Sequence, residues 1–331
     1  MRLPAALRIA LYPLSRVYSR YVSFRKSLYA TGWLKRKRLK AKVISVGNLT
    51  VGGTGKTPMV LWLAEKFLAE GKRVGILTRG YRGSGGTSDE VQLLRHRLGD
   101  RVVFGVGPNR FATGCRLEQQ KPVDVFILDD GFQHLQLARD LDILMLDGSR
   151  KLQNEWLLPA GLLREPIAAC RRADILVVSR KFERPPVEAR DAHRFSIFYA
   201  QTRLLGFRRF GSGDPPLYLS EIGPGPFFAF CGIGNPEAFF TDLDRWHVPV
   251  AQRQSFSDHH RYSRAEMERL RRRAENCSAT ALVTTEKDAQ NLPASVPMPV
   301  WIAIIDFVFS AESELVAAID RILQTGRGAV N

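Results

Sequence analysis

The clearest chemistry in the chain lies in one run of residues, Thr50-Val51-Gly52-Gly53-Thr54-Gly55-Lys56-Thr57. Its glycines let the backbone curl until consecutive N–H groups converge on one point, and a helix starting there adds a dipole that favours an anion. Lys56 is placed to reach phosphate oxygens, and the Thr57 hydroxyl to meet a divalent cation. This is the P-loop pattern, with Thr50 where its first glycine usually stands. A second signal is Val125-Phe126-Ile127-Leu128-Asp129-Asp130. An apolar run that ends in carboxylates sets acids at the mouth of a strand, where open α/β sheets bind ligands. The continuation Gly131-Phe132-Gln133-His134 adds polar groups at the same mouth.

Weaker signals surround these. Thr78-Arg79-Gly80-Tyr81 closes a strand, Gly83, Gly85 and Gly86 make a loop, and Ser88-Asp89-Glu90 follows. Adjacent carboxylates on an extended chain face different points, so one would accept a hydroxyl proton while the other serves a metal. In Phe256-Ser257-Asp258-His259-His260-Arg261-Tyr262 two histidines sit beside an acid, a better arrangement for assisting proton transfer than for holding a metal ion. Leu162-Leu163-Arg164-Glu165-Pro166 offers an arginine for charge on a moving phosphoryl group, or a structural ion pair. Thr284-Thr285-Glu286-Lys287-Asp288 reads as a capped helix start with a structural role.

The elements that must position these residues follow from the apolar pattern. Short β-branched or leucine-rich runs at Val43–Val46, Val74–Leu77, Val102–Val106, Val123–Leu128, Leu141–Leu146 and Ile175–Val178 predict buried parallel strands. A helix is expected over Pro58–Glu70. Prolines punctuate 184–226, at Pro185, Pro186, Pro215, Pro216, Pro224 and Pro226, and Phe195–Phe198 and Arg203–Phe210 suggest a connecting ribbon. A second α/β pattern follows: strands at Phe227–Phe230, Ala281–Thr284 and Val300–Ile305, helices at Asn235–Leu243, Ala265–Glu275 and Glu312–Leu323. The expected fold is a P-loop NTPase-type, mostly parallel sheet with helices on both faces, a smaller second α/β domain and an N-terminal amphipathic helix. The expected division is residues 1–40, 41–185, a linker at 186–226, and 227–331, with the last helix packing back on the first domain.

Composition narrows the class. The chain has 331 residues, 45% of them hydrophobic, enough for a real core. Its net charge is +16, yet residues 1–40 hold eleven Lys/Arg and no acid, leaving 38 Lys/Arg against 33 acids elsewhere. Within that basic segment Leu3, Leu7, Leu11, Leu14, Tyr18 and Val22 recur at helical spacing, with Arg2, Arg16 and Arg20 opposite and Arg8 on the flank. Pro13 should kink that helix or mark its start. Such a segment, with Trp33 nearby, suits a helix lying in an anionic membrane interface. No segment approaches the roughly 20 apolar residues a spanning helix needs. Cys115, Cys170, Cys231 and Cys277 are scattered, with no CxxC pair, which speaks against a disulfide framework or structural zinc.

Taken in order, VGNLTVGGTGKTP, TRGY, SDE, GPNR, LDDGFQH, LLREP, CGIGNPEAF, FSDHH and TTEKDA resemble the tetraacyldisaccharide 4′-kinases, the lipid A kinases of Gram-negative bacteria. The resemblance runs from about residue 41 to about 291. It implies transfer of the γ-phosphate of ATP, with Mg²⁺, to the 4′-hydroxyl of an acylated glucosamine disaccharide 1-phosphate. It assigns the nucleotide loop to Thr50–Thr57 with Gln133 nearby, and the proton-accepting carboxylate to Asp89. It points to His259 as the partner of Asp89, with His260 as the alternative. It places Thr57, Glu90, Asp129 and Asp130 on the metal side, and Lys56, Arg164, Glu165 and Arg110 along the cleft. It also implies peripheral or monotopic attachment of residues 1–30 to the cytoplasmic face of the inner membrane, with no obligate protein partner and no nucleic acid. Val91 departs from the family, where many members carry proline after the acidic pair.

Three rivals meet specific residues. A membrane-associated P-loop ATPase that positions cargo would carry a lysine where Val51 stands. A nucleic-acid NTPase would set a base-stacking motif beside its basic residues, whereas the arginines here share a helix with an apolar stripe and no such motif stands out. A GTPase would need an N/T-K-x-D element after a strand, and Thr285–Asp288 has the wrong order for one.

Overall fold

A computed structural model describes residues 4–80, 88–150, 152, 155–180 and 196–325. In chain order the helices and strands are α1 (Ala5–Ala30), β1 (Lys42–Asn48), α2 (Lys56–Ala69), β2 (Val74–Thr78), α3 (Asp89–Leu98), β3 (Val102–Val106), α4 (Arg110–Gln120), β4 (Val125–Asp129), β5 (Leu141–Asp147) and β6 (Ile175–Ser179). They continue with β7 (Ser196–Arg209), β8 (Phe227–Cys231), α5 (Pro236–Arg245), β9 (Val250–Ser255), α6 (Arg264–Asn276), β10 (Ala281–Thr285), α7 (Glu286–Ala289), β11 (Val300–Phe309) and α8 (Glu312–Thr325). The chain divides into two compact units. The first holds residues up to 80, then Leu98–Gln201 and the chain from Val308; the second holds 88–97 and Thr202–Phe307.

In the first unit the strands lie in the order β3-β2-β4-β1-β5-β6-β7, and neighbouring strands pair in parallel. β2, β4, β5 and β6 are buried along their whole length, which is why they read as unbroken apolar runs. Register does the positioning. Val46 of β1 lies beside Asp129 of β4, so the loop leaving β1 and the acids ending β4 emerge side by side. Gly47 tightens that neighbourhood: a Cβ there would stand 2.5 Å from the Phe132 Cβ and 2.6 Å from its backbone nitrogen. In the second unit the order β11-β10-β8-β9 is again parallel, around a core that includes Phe227, Phe239, Phe240 and Leu243 on one side and Phe228, Phe230, Met267 and Leu270 on the other.

Several expectations shift. Pro13 does not start α1, which runs unbroken from Ala5 to Ala30. Contacts along one stripe hold the helix in place: Arg8 pairs with Glu155 at 3.0 Å, the Ser15 hydroxyl donates to the Leu157 carbonyl at 2.9 Å, and the Tyr18 hydroxyl donates to the Arg164 carbonyl at 3.0 Å. The apolar stripe is therefore split. Leu11, Tyr18 and Val22 are half-buried, while Leu7, Leu14, Val17, Tyr21 and Phe24 are exposed. Asp89 and Glu90 lie on the first turn of a helix, not on an extended chain, so their side chains diverge by about 100°. The two short ribbon strands are a single strand, β7. The expectations for Arg2, Leu3, Tyr81, Gly83, Gly85, Gly86, Pro185, Pro186 and Phe195 lie outside the described residues. Among the described residues the four cysteines are free, and no helix is long and apolar enough to cross a membrane.

Candidate active site

The first unit carries a nest of backbone amides at the start of α2. Gly52 and Gly55 have φ of 104° and 85°, conformations that suit glycine. Gly55 caps α2 and no side chain fills the helix N-terminus. The orphan N–H groups of the first turn, at Lys56 and Thr57, are thus presented to an anion. Asn48 braces the curl, its amide donating to the Thr54 hydroxyl at 3.0 Å, and Gln133 in turn donates to the Asn48 carbonyl at 3.0 Å. On the far side the Val51 N–H donates to the Leu162 carbonyl at 2.9 Å, and the Arg164 N–H to Leu49 at 2.7 Å. The Leu162–Glu165 segment therefore belongs to the wall of the loop.

Charges converge beside this nest. Lys56 Nζ lies 3.4 Å from Asp130, and Arg164 Nη1 lies 2.7 and 2.8 Å from the two oxygens of that carboxylate. Burial opposes the charge of Asp130, but Lys56 and Arg164 together hold its carboxyl below the usual range. Arg164 thus sits in an ion pair at the site. Asp129 is buried at the end of β4, 3.5 Å from the Thr78 hydroxyl. Glu165 pairs with Arg172 at 2.5 Å, a wall contact. Arg110 is buried and its Nη1 stands 3.4 Å from His134 Nδ1. Burial first, then Arg110, pushes the His134 imidazole down to about 4.

The second unit carries a different site. Asp89 opens α3, where the helix dipole favours a carboxylate. His259 Nδ1 lies 2.9 and 3.0 Å from the two Asp89 oxygens. Burial disfavours the Asp89 charge, yet the His259 hydrogen bond, Lys287 and the Glu90 backbone N–H bring its carboxyl below the ordinary value. The bond to Asp89 raises the His259 imidazole, against burial and Lys287. His259 has φ of 60°, an uncommon conformation for a side-chain-bearing residue, and its N–H is anchored on the Gly232 carbonyl at 3.0 Å. His260 points elsewhere, stacked on Phe256 and 3.2 Å from Glu266. The geometry thus separates the two histidines: His259 meets Asp89.

Glu90, expected on the metal side, lies 3.7 Å from Lys287 Nζ. Thr285 does cap α7, accepting the Asp288 N–H at 3.1 Å. Lys287, one residue inside that cap, also approaches Asp258 at 3.2 Å, His259 Nε2 at 3.4 Å and Asp89 at 3.9 Å. Reading this segment as structural missed that placement. The available signal was a lysine directly between two acids at a capped helix start.

A nest of backbone amides at a helix start beside a buried acidic strand end belongs to an ATP-dependent kinase. The family model for tetraacyldisaccharide-1-P 4'-kinase matches residues 7–324, and the chain belongs to that family. Its reaction is the 4′-phosphorylation of tetraacyldisaccharide 1-phosphate in lipid A biosynthesis. Among curated relatives, the tetraacyldisaccharide 4'-kinase of Geobacter metallireducens is 39% identical over 94% of this chain and 96% of its own. That of Shewanella halifaxensis is 33% identical over 96% and 95%. A crystal structure of LpxK from Aquifex aeolicus in complex with ATP superposes with a TM-score of 0.73, at 32% identity over 96% of this chain and 99% of that one.

Proposed function

We propose that Thr50–Thr57 cradles the triphosphate of ATP while Asp89 takes the proton from the sugar 4′-hydroxyl. The observation that carries this reading is the Asp89–His259 pair, with Nδ1 2.9 Å from a carboxylate held in its charged form. A sugar hydroxyl is a poor nucleophile at neutral pH, so a base must receive its proton as attack proceeds. The hydroxyl oxygen bonds to the γ-phosphorus, the bond to the β,γ-bridging oxygen breaks with its electrons leaving on ADP, and the proton passes to an Asp89 oxygen. His259 keeps that carboxylate oriented through its Nδ1–H. Lys56 and the first amides of α2 balance the phosphate charge.

The oxygen donors at the end of β4 and the start of α2 suit Mg²⁺, a hard cation that binds through carboxylate and hydroxyl groups. Thr57, Asp129 and Asp130 would hold it, and when bound it withdraws charge from the β- and γ-phosphate oxygens. Arg164 keeps Asp130 ionised and aimed. The exposed apolar side chains of α1 with Trp33 and the basic residues of 1–40 support attachment at the cytoplasmic face of the inner membrane. On this reading residues 1–40 form a membrane-associating segment preceding the nucleotide-binding part of the chain.

The test incubates purified protein with ATP, Mg²⁺ and tetraacyldisaccharide 1-phosphate, with a chelator in the control. Mass spectrometry should find the 1,4′-bisphosphate only when the metal is present. ATP turned over with no phosphorylated lipid would favour an ATPase instead.

A further inference from the structure

The one-turn helix α7 ties together segments far apart in sequence. Glu286 lies 3.2 Å from Arg97 of α3. The Asp288 carboxylate accepts the Gly232 N–H at 2.7 Å and the Tyr262 hydroxyl at 2.8 Å, so it holds both the loop bearing His259 and the segment after β8 on whose Gly232 carbonyl His259 is anchored. Between them, Lys287 sends its ammonium to the acid–base pair itself, 3.4 Å from His259 Nε2, 3.9 Å from Asp89, 3.7 Å from Glu90 and 3.2 Å from Asp258.

We propose that Lys287 is a positioning residue for phosphoryl transfer, whose ammonium covers His259 Nε2 and so leaves Asp89 as the destination of the substrate proton. An ammonium has donors and no acceptor, so a neutral imidazole facing it must offer its lone pair. The His259 proton then resides on Nδ1, pointing at Asp89. Two consequences follow. The imidazole cannot take a proton at Nε2 while Lys287 occupies it. The Asp89 carboxylate keeps His259 as an oriented donor beside the Glu90 N–H and the Asn291 amide, and a remaining lone pair can meet the incoming hydroxyl. Asp258 and Glu90 stand 3.2 and 3.7 Å from the same ammonium, so its location does not depend on the imidazole alone.

This inference rests on Asp89 being the base, and the experiment separates the two ideas. Steady-state kinetics of Lys287→Met, Lys287→Gln, Lys287→Arg and Asp89→Asn are compared with the unaltered enzyme, with folding followed by thermal melting. The expected result is kcat lowered about ten- to a hundredfold in the Met and Gln variants, within the range for perturbed acid–base catalysis. KM for ATP should stay within about twofold, and Lys287→Arg should recover most of the loss because it restores a cationic donor. Nitrogen-15 spectra of the neutral imidazole should report the Nδ1–H form of His259 in the unaltered enzyme and a mixture of tautomers in Lys287→Met. Unchanged kcat in folded Met and Gln variants, or an Nε2–H tautomer in the unaltered enzyme, overturns the proposal. An active Asp89→Asn enzyme overturns the base assignment; an inactive one beside a fully active Lys287→Met enzyme overturns only the role of Lys287.

Discussion

The two units solve the problem of holding charge in opposite ways. In the first, the phosphate nest is made of backbone: glycine curvature, orphan amides and a helix start, braced by Asn48 and Gln133. Its side-chain charges neutralise one another, Lys56 and Arg164 against Asp130. In the second, the site is made of side chains, Asp89, His259 and Lys287, delivered by α3, a strained loop and α7. A backbone nest tolerates many side chains as long as its glycines remain, whereas a side-chain site fails at a single atom. Binding is therefore expected to be carried mainly by the first unit and proton transfer by the second.

The sharpest way to break that division is a pair of substitutions. Asp89→Asn should lower kcat by about 10²- to 10⁴-fold, the usual weight of a positioned base, with the dissociation constant for ATP within about twofold. Lys56→Ala should damage both quantities. Equilibrium nucleotide binding measured beside turnover checks this, and loss of ATP affinity in Asp89→Asn would merge the two roles. A smaller effect is expected on the outer face of α1. Leu14→Glu with Phe24→Glu should weaken partitioning to anionic vesicles by about tenfold or more, since each buried apolar side chain is worth about 1.5–3 kcal/mol. Turnover on detergent-dispersed substrate should be retained, and equal vesicle binding would remove α1 as the attachment site.

The smallest expected effect contrasts two histidines. His134, in the first unit, is held down to about 4 from 6.5 by burial and by Arg110. The unfolded chain therefore binds more protons between those values. The contribution of neutral His134 is complete above pH 6.5 and is lost as pH falls towards 4. His259, in the second, is raised above 6.5 by Asp89, so its contribution is complete below pH 6.5 and lost as pH rises through the folded value. Thermal midpoints across pH should shift with opposite slopes in His134→Gln and His259→Gln. Parallel slopes would mean that the two environments are alike.

Sequence legibility divides along the same line. The nest and the acids of β4 could be read because each is contiguous, and the strands that flank them are buried on both faces and so spell continuous apolar runs. α3 was harder to read: Arg95, His96 and Arg97 crowd its last turn, and Ser88 looks like a loop residue until Gln92 is seen to bond back to it. β9 is largely exposed, Gln252 and Arg253 included, so it lacks the strand pattern. Asp89 and His259 are separated by 170 positions, and their motifs suggested chemistry without showing contact. Lys287 stands in sequence as a lysine between two acids at a capped helix start, but its contacts arise only where α3, α7 and the histidine loop come together.

Gly47 carries a last lesson about rigidity. Because hydrogen is all that fits between it and Phe132, the segment entering the phosphate nest and the turn leaving the acidic pair have no room to slide. They behave as one rigid part, so whatever fixes the nest on a nucleotide also fixes where Asp129 and Asp130 stand. In most turns a glycine supplies slack; here its missing methyl group takes slack away.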